Sequence, residues 1–216
     1  RARQHLIRVY TTLAVGGLIA ALGVYVFSRS QIATFLPMIG SVLCVVAMPQ
    51  FEDEVARLGI FGLLAFLQGL TIGGLVEFAL DVDPVLPLVA LFLTAIVFGA
   101  FSVAALYSEK RDMLYLGGTL YSLLGMLTIV GFLNIFLRSP LLSMFRLYGG
   151  FMVFCGYVCF DTQLILIKYD LGDRDYIYHA MALFVDMVGL FVRLVTILLR
   201  NHEDNVRRRS RSRSRY

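Results

Sequence analysis

The sequence predicts an all-α polytopic membrane protein with seven membrane helices. Three observations carry that prediction. The chain of 216 residues is 59% hydrophobic and 16% charged, with a mean hydropathy of +0.79, whereas soluble domains are about 25% charged and 45–50% apolar. Seven apolar stretches approach or exceed the roughly 17–25 residues needed to cross a bilayer. Most polar connections between them are only a few residues long, so a separate soluble domain is not expected and sequential helices should be antiparallel neighbours.

The apolar runs place helices at Leu6–Phe27, Ile32–Ala47, Leu58–Phe78, Val85–Tyr107, Met113–Phe136, Leu141–Ile167 and Ile177–Leu199. The second is the shortest and carries Pro37 and Pro49 near its ends, where proline is tolerated at a helix start and disfavoured within. The longer connections are the polar stretch Gln50–Arg57 and residues 168–176. Arg1 is not an initiator residue, so the natural N-terminus is expected to lie upstream. No cleavable signal peptide is expected, because the first apolar run is too long and lacks a small-residue cleavage pattern. The bundle should occupy 1–199, followed by a basic Arg/Ser-rich tail, 200–216, expected to be disordered.

Along the third helix Gly62, Gly69 and Gly73 recur, and Gly69 to Gly73 form a GxxxG spacing that lets helix backbones approach closely in lipid. Cys44, Cys155 and Cys159 lie inside apolar helices and have no metal-type spacing, so they read as small apolar groups.

Basic residues bear on orientation. Arg1, Arg3, Arg8, Arg57, Lys110, Arg111, Lys168 and Arg174 fall on one side of an alternating topology, and Arg29 and Arg138 on the other. The positive-inside rule then puts the N-terminus in the cytoplasm. Seven full crossings would put the arginine tail outside; a re-entrant segment around Asp186 would bring it back. The tail is expected to associate with anionic lipid, and nucleic acid is not an expected partner.

The residues that demand explanation are Asp161 and Asp186, each deep in a membrane-length apolar run. A carboxylate at the bilayer centre costs at least about 3 kcal/mol on insertion scales. If the last two helices are antiparallel neighbours, the two side chains reach similar depth. Two close carboxyls in a low dielectric do not both ionise readily, and they titrate as a unit. A shared proton would close a pathway between them; two carboxylates would repel or take a hard cation such as Ca²⁺. The same pair is thus the candidate pH sensor, ion pathway and metal site. The plainer alternative is that each acid is protonated, hydrogen-bonded and serves helix packing alone. Thr162 and Gln163 are candidate supporting donors. Glu77 belongs either at an interface or at a cation entrance. Arg193 either snorkels or plugs the site by pairing with a carboxylate. Asn134 and Arg146 read as capping or interfacial residues, and His179 as an ordinary residue at a helix start, with proton sensing as the lesser alternative.

Several blocks carry a wider resemblance: Gln4–Tyr10 (QHLIRVY), Arg57–Gly59 (RLG), Leu75–Phe78 (LVEF), Ala105–Tyr107 (ALY), Leu116–Gly118 (LGG), Phe160–Leu164 (FDTQL), Gly172–Tyr176 (GDRDY), His179 and Leu183–Asp186 (LFVD). On these the chain resembles the Bax inhibitor-1 family, also called the transmembrane Bax inhibitor motif family, in its eukaryotic endoplasmic-reticulum branch. The resemblance implies six helices surrounding a central C-terminal helix. It implies a multi-pass protein of the endoplasmic reticulum membrane, with a pH-sensitive Ca²⁺ leak and suppression of cell death. The family's pore aspartates correspond to Asp161 and Asp186, and Arg57 is the candidate counterpart of a basic residue that engages them in a bacterial relative. Family members of this branch usually end in a lysine-rich tail, here replaced by arginine and serine.

Three function classes follow. The first is a Ca²⁺ leak channel, or a Ca²⁺/H⁺ exchanger, using the aspartate pair, with Ca²⁺ and protons as transported ions and no cofactor. The second is a regulatory scaffold for Bcl-2-type or stress-sensor membrane proteins. An enzyme is not expected: an intramembrane aspartyl protease also needs two membrane aspartates, but the glycines before the second aspartate and the Pro-Ala-Leu segment of that class are missing.

Overall fold

The computed structural model describes residues 2–30, 34–108 and 116–213, and every long element among them is a helix. These are α1 (Ala2–Ser30), α2 (Phe35–Ala47, followed by a 3₁₀ turn at Met48–Gln50), α3 (Glu54–Val82), α4 (Leu86–Tyr107), α5 (Leu116–Leu137), α6 (Pro140–Asp170) and α7 (Tyr176–Arg213). The expected helix starts at Ile32 and Met113, and the basic residues Arg1, Lys110 and Arg111, lie outside the described residues.

Most helices extend past their apolar runs because polar caps carry them beyond the hydrocarbon. Asp53 begins α3 by accepting a 2.9 Å bond from the Ala56 amide, a side-chain N-cap. The expected Gln50–Arg57 connection therefore shrinks to residues 51–53. Asp175 caps α7 through the Tyr178 amide at 3.1 Å. Gly172, at φ +98°, closes α6: the Asp173 amide reaches back to the Lys168 carbonyl at 2.9 Å, a Schellman ending that needs a left-handed residue. Those two caps reduce the expected 168–176 loop to five residues, Leu171–Asp175.

Neighbouring contacts fix the direction of each helix. On α1 and α3, Gly16 meets Phe61, Ile19 meets Gly62, Ala20 meets Gly69 and Phe27 meets Gly73, so the two helices run parallel. The chain must cross back between them, and α2 is the segment that does so. With its 3₁₀ turn it spans roughly 25 Å, near the roughly 30 Å hydrocarbon thickness. The other six helices are long and apolar enough to cross on their own. α5 and α6 are antiparallel, with Gly117 against Phe160 and Gly131 against Arg146. α6 and α7 are antiparallel too, with Gly150 against Arg193 and Gly189 against Phe154.

α7 packs on α1, α3, α4 and α6, and is the central helix; α2 rests mainly on α3 and α5 mainly on α6. Its middle is filled by Leu183, Phe184, Leu190 and Val195, all fully buried. Phe184 meets Phe61 edge-on at 5.7 Å. α7 is one continuous helix of 38 residues, roughly 57 Å long. This overturns the re-entrant alternative for the segment carrying Asp186, because the helix has no turning point. It runs parallel to α1, with His5 beside His179 and Gly17 beside Met187, so the start of α1 and the end of α7 lie at opposite ends of the bundle. It also continues through the basic stretch to Arg213, where a disordered tail was expected from 200. Adding one residue to an existing helix costs far less than nucleating one.

The close approach expected of the glycines is present at two of them. A Cβ on Gly69 would overlap the Ala20 carbonyl, and one on Gly73 would overlap the Phe27 side chain. Gly62 leaves ordinary space, its nearest neighbour atom being 3.7 Å away on Ile19. Substituting Gly69 by Val should therefore destabilise the bundle by about 1–3 kcal/mol. Gly99→Ala, with nothing within 4 Å of the added carbon, should be neutral. Thermal unfolding of both variants in detergent checks the contrast; equal midpoints would contradict the α1–α3 approach.

Candidate functional site: a buried aspartate pair

Antiparallel packing of α6 on α7 brings Asp161 and Asp186 to one level. Two small residues set the register: Phe154 lies over Gly189, and Arg193 over Gly150. Asp186 is 5% exposed, between fully buried Leu183 and Leu190, and Asp161 is half-buried. The two carboxyl groups are close enough to share a side-chain hydrogen bond. Two carboxylates are both acceptors, so that bond requires a proton on one of them. Oδ2 of Asp186 is buried without a partner.

Two phenols complete the surroundings. Tyr121 of α5 and Tyr157 of α6 lie within electrostatic reach of both acids, and their rings meet edge-on at 5.7 Å. The Tyr157 hydroxyl is buried and unpartnered. Lys168, two turns further along α6, is the cation that Asp161 senses, and its ammonium sits over the Tyr178 ring at 5.0 Å.

The other residues singled out from sequence are placed elsewhere. Gln163 donates to the Ala105 carbonyl at 3.3 Å, tying α6 to α4. Thr162 is fully buried with its hydroxyl unpartnered. Arg57 pairs with Asp175 in the α6–α7 turn, not with the aspartate pair. Glu77 is half-buried near the end of α3; counted from Phe61, which touches Phe184, it lies about 24 Å further along the bundle. Arg193 donates to the Gly189 carbonyl at 2.9 Å and covers the Phe154 ring at 4.0 Å. It has no carboxylate partner among the described residues, so the plug alternative does not hold in this conformation. Asn134 does act as a cap: its amide oxygen accepts from the Ser139 amide at 2.8 Å, across the left-handed Arg138.

Sequence reasoning missed one cluster. His5 of α1 and His179 of α7 are both buried and joined at 3.0 Å, with Asp173 3.8 Å from His179 and the Tyr169 ring over His5 at 4.9 Å. Alongside, the Tyr176 hydroxyl donates to Glu54 at 2.5 Å. Together with Arg57–Asp175 these contacts fasten the starts of α1, α3 and α7. A signal existed, since both histidines sit at the starts of odd-numbered helices, but nothing in sequence told that those helices touch.

Long apolar helices packed around a central one, with two acidic side chains brought to one level of the interior, define a multi-pass membrane protein. The particular family follows from comparison with known proteins. The family model described as "Inhibitor of apoptosis-promoting Bax1" matches residues 2–203, and the chain belongs to that family. It is 39% identical over 208 residues to Bax inhibitor 1 of Homo sapiens, covering 94% of this chain and 88% of the relative. Identity to Bax inhibitor 1 of Rattus norvegicus is 38% over 208 residues, with the same coverage. For Bax inhibitor 1 of Arabidopsis thaliana it is 39% over 206 residues, covering 94% of this chain and 83% of the relative.

The Arg57–Asp175 pair is only partly exposed, at 17% and 24% of the two side chains, and should couple more strongly than a surface pair. A double-mutant cycle with Arg57→Ala and Asp175→Ala, read by unfolding in detergent, should give a coupling of about 1 kcal/mol. Strict additivity would show that the pair does not hold α3 to α7.

Proposed function

We propose that the protein is a pH-sensitive Ca²⁺ leak pathway of the endoplasmic reticulum membrane, controlled by one proton shared between Asp161 and Asp186, and that it acts in the suppression of cell death. The observation that supports this most directly is the approach of two carboxyls in the apolar core, close enough to share a proton. Helix packing alone would be served by apolar residues at far lower desolvation cost. Membership of a family described by inhibition of apoptosis-promoting Bax1 supports the cell-death role.

The mechanism follows from the proton. With it in place, the two carboxyls hold α6 against α7 and carry a single negative charge between them. As pH rises the proton leaves, both groups are anionic, and their repulsion in a low dielectric separates the helices. The same two anions then provide hard oxygen ligands to a passing cation. Ca²⁺ takes six to eight oxygens and two carboxylates supply at most four, so water completes the shell and the ion is held transiently. That suits passage rather than storage. The sign is therefore fixed: flux is low when the pair shares its proton and increases as pH rises through the titration of the pair. A catalytic role has no part in this reading.

Ca²⁺ entry into proteoliposomes, followed from acid to mildly alkaline pH, tests it. Wild-type flux should rise with pH, whereas Asp161→Asn and Asp186→Asn should each abolish the pH dependence. Flux equal to that of empty liposomes, or a pH profile unmoved by either substitution, would contradict the proposal. Repeating the assay with a proton ionophore separates a leak, which persists when the proton gradient collapses, from obligatory exchange, which does not.

A further inference from the structure

A second polar site lies further along α7, its arginines beginning about two turns past Asp186. A cavity of about 680 Å³ opens between α5, α6 and α7 and is lined by Arg146, Arg193 and Arg200. Among the described residues no Asp or Glu lines it. Arg146 and Arg193 are close enough to feel each other's charge, and among the described residues neither is paired with a carboxylate. Three guanidinium groups gathered at a membrane helix interface without a counter-anion repel one another, and that arrangement calls for an anion.

The remaining lining shows what kind of anion fits. The polar side chains there are already engaged: Thr128 donates to the Leu124 carbonyl at 2.8 Å, Thr196 to the Val192 carbonyl at 2.7 Å, and Ser143 accepts from Asn134 at 2.7 Å. The arginines, with the Ser143 hydroxyl proton, are thus the donors available to a ligand, and guanidinium forks match phosphate oxygens. Glycines make room for them. A Cβ on Gly131 would lie 3.0 Å from an Arg146 nitrogen, and one on Gly150 2.5 Å from an Arg193 nitrogen. The outer rim is apolar and faces outward, with Phe132 62% and Ile135 67% exposed. A ligand seated here has an anionic head at the arginines and an apolar body along α5.

We propose that the arginine-lined cavity between α5, α6 and α7 binds the phosphate headgroup of an anionic glycerophospholipid, with its acyl chains lying over Phe132 and Ile135. A basic pocket between membrane helices is a recurrent form of lipid headgroup site. The site is separate from the aspartate pair and does not depend on the leak proposed above.

Native mass spectrometry of the detergent-purified protein tests this with phosphatidic acid and phosphatidylcholine as probes. Arg146→Gln combined with Arg200→Gln removes two of the three charges at exposed or half-buried positions, where folding should be spared. Arg207→Gln combined with Arg208→Gln removes two charges from the tail outside the cavity. The wild type should retain phosphatidic acid over phosphatidylcholine. The cavity variant should lose about tenfold in that retention, the tail variant should keep it, and inorganic phosphate should not displace the lipid. Equal retention by the cavity variant, equal retention of phosphatidylcholine, or loss in the tail variant instead would overturn the proposal. Displacement by inorganic phosphate would reassign the site to a soluble phosphate. Circular dichroism of the two variants distinguishes lost binding from lost fold.

Discussion

The meeting of two carboxyl groups in the bilayer interior sets the terms for the rest of the molecule. Neither acid is tolerable there alone, because an ionised carboxylate has no water to solvate it and a neutral one still needs a partner. Each supplies the other's partner, but only if α6 and α7 meet in one register. Gly150 and Gly189 provide that register by admitting Arg193 and Phe154 into the same interface. A bond between them is conditional on a proton, and the proposed leak takes its pH dependence from that condition. In that proposal one interaction links packing to a chemical signal.

The surrounding bundle holds the pair without any hydrophobic force between helices, since lipid tails are as apolar as the side chains. Close backbone approach replaces it between α1 and α3, at Gly69 and Gly73. Polar contacts replace it at the shared starts of α1, α3 and α7, through His5–His179, Arg57–Asp175 and Glu54–Tyr176. These fastenings lie at the end of the bundle where α6 turns into α7. The other end has fewer: there α5, α6 and α7 leave an arginine-lined cavity instead. Such a bundle is anchored at one end, and the rearrangement of α6 against α7 proposed above has room at the other.

Much of this was open to a reading of the sequence, and the physical reason differs by feature. Apolar runs of membrane length announced every helix, because desolvation leaves no alternative to helical backbone in lipid. Asp161 and Asp186 stood out because their cost is read directly from context. Helix ends were read short, since caps such as Asp53 and Asp175 and the Gly172 turn extend helix beyond the apolar stretch. The basic stretch after Leu199 reads as a tail by composition, yet it follows a long helix that simply propagates. Partners of the polar residues were the least accessible. Nothing in the sequence tells that Gln163 reaches the Ala105 carbonyl on α4. Arg57 was matched to the aspartates and instead meets Asp175. His5 was passed over because the parallel course of α1 and α7 is a tertiary fact.

The central claim is that Asp161 and Asp186 hold one proton between them, and infrared difference spectroscopy of the reconstituted protein during a pH titration tests it most directly. The account predicts a carboxylic-acid carbonyl band that disappears in a single step as pH rises and shifts when either residue alone is changed to Asn. It also predicts that the band is absent from the variant carrying both substitutions. Two independent carboxyl titrations, each unaffected by substitution of the other residue, would contradict it.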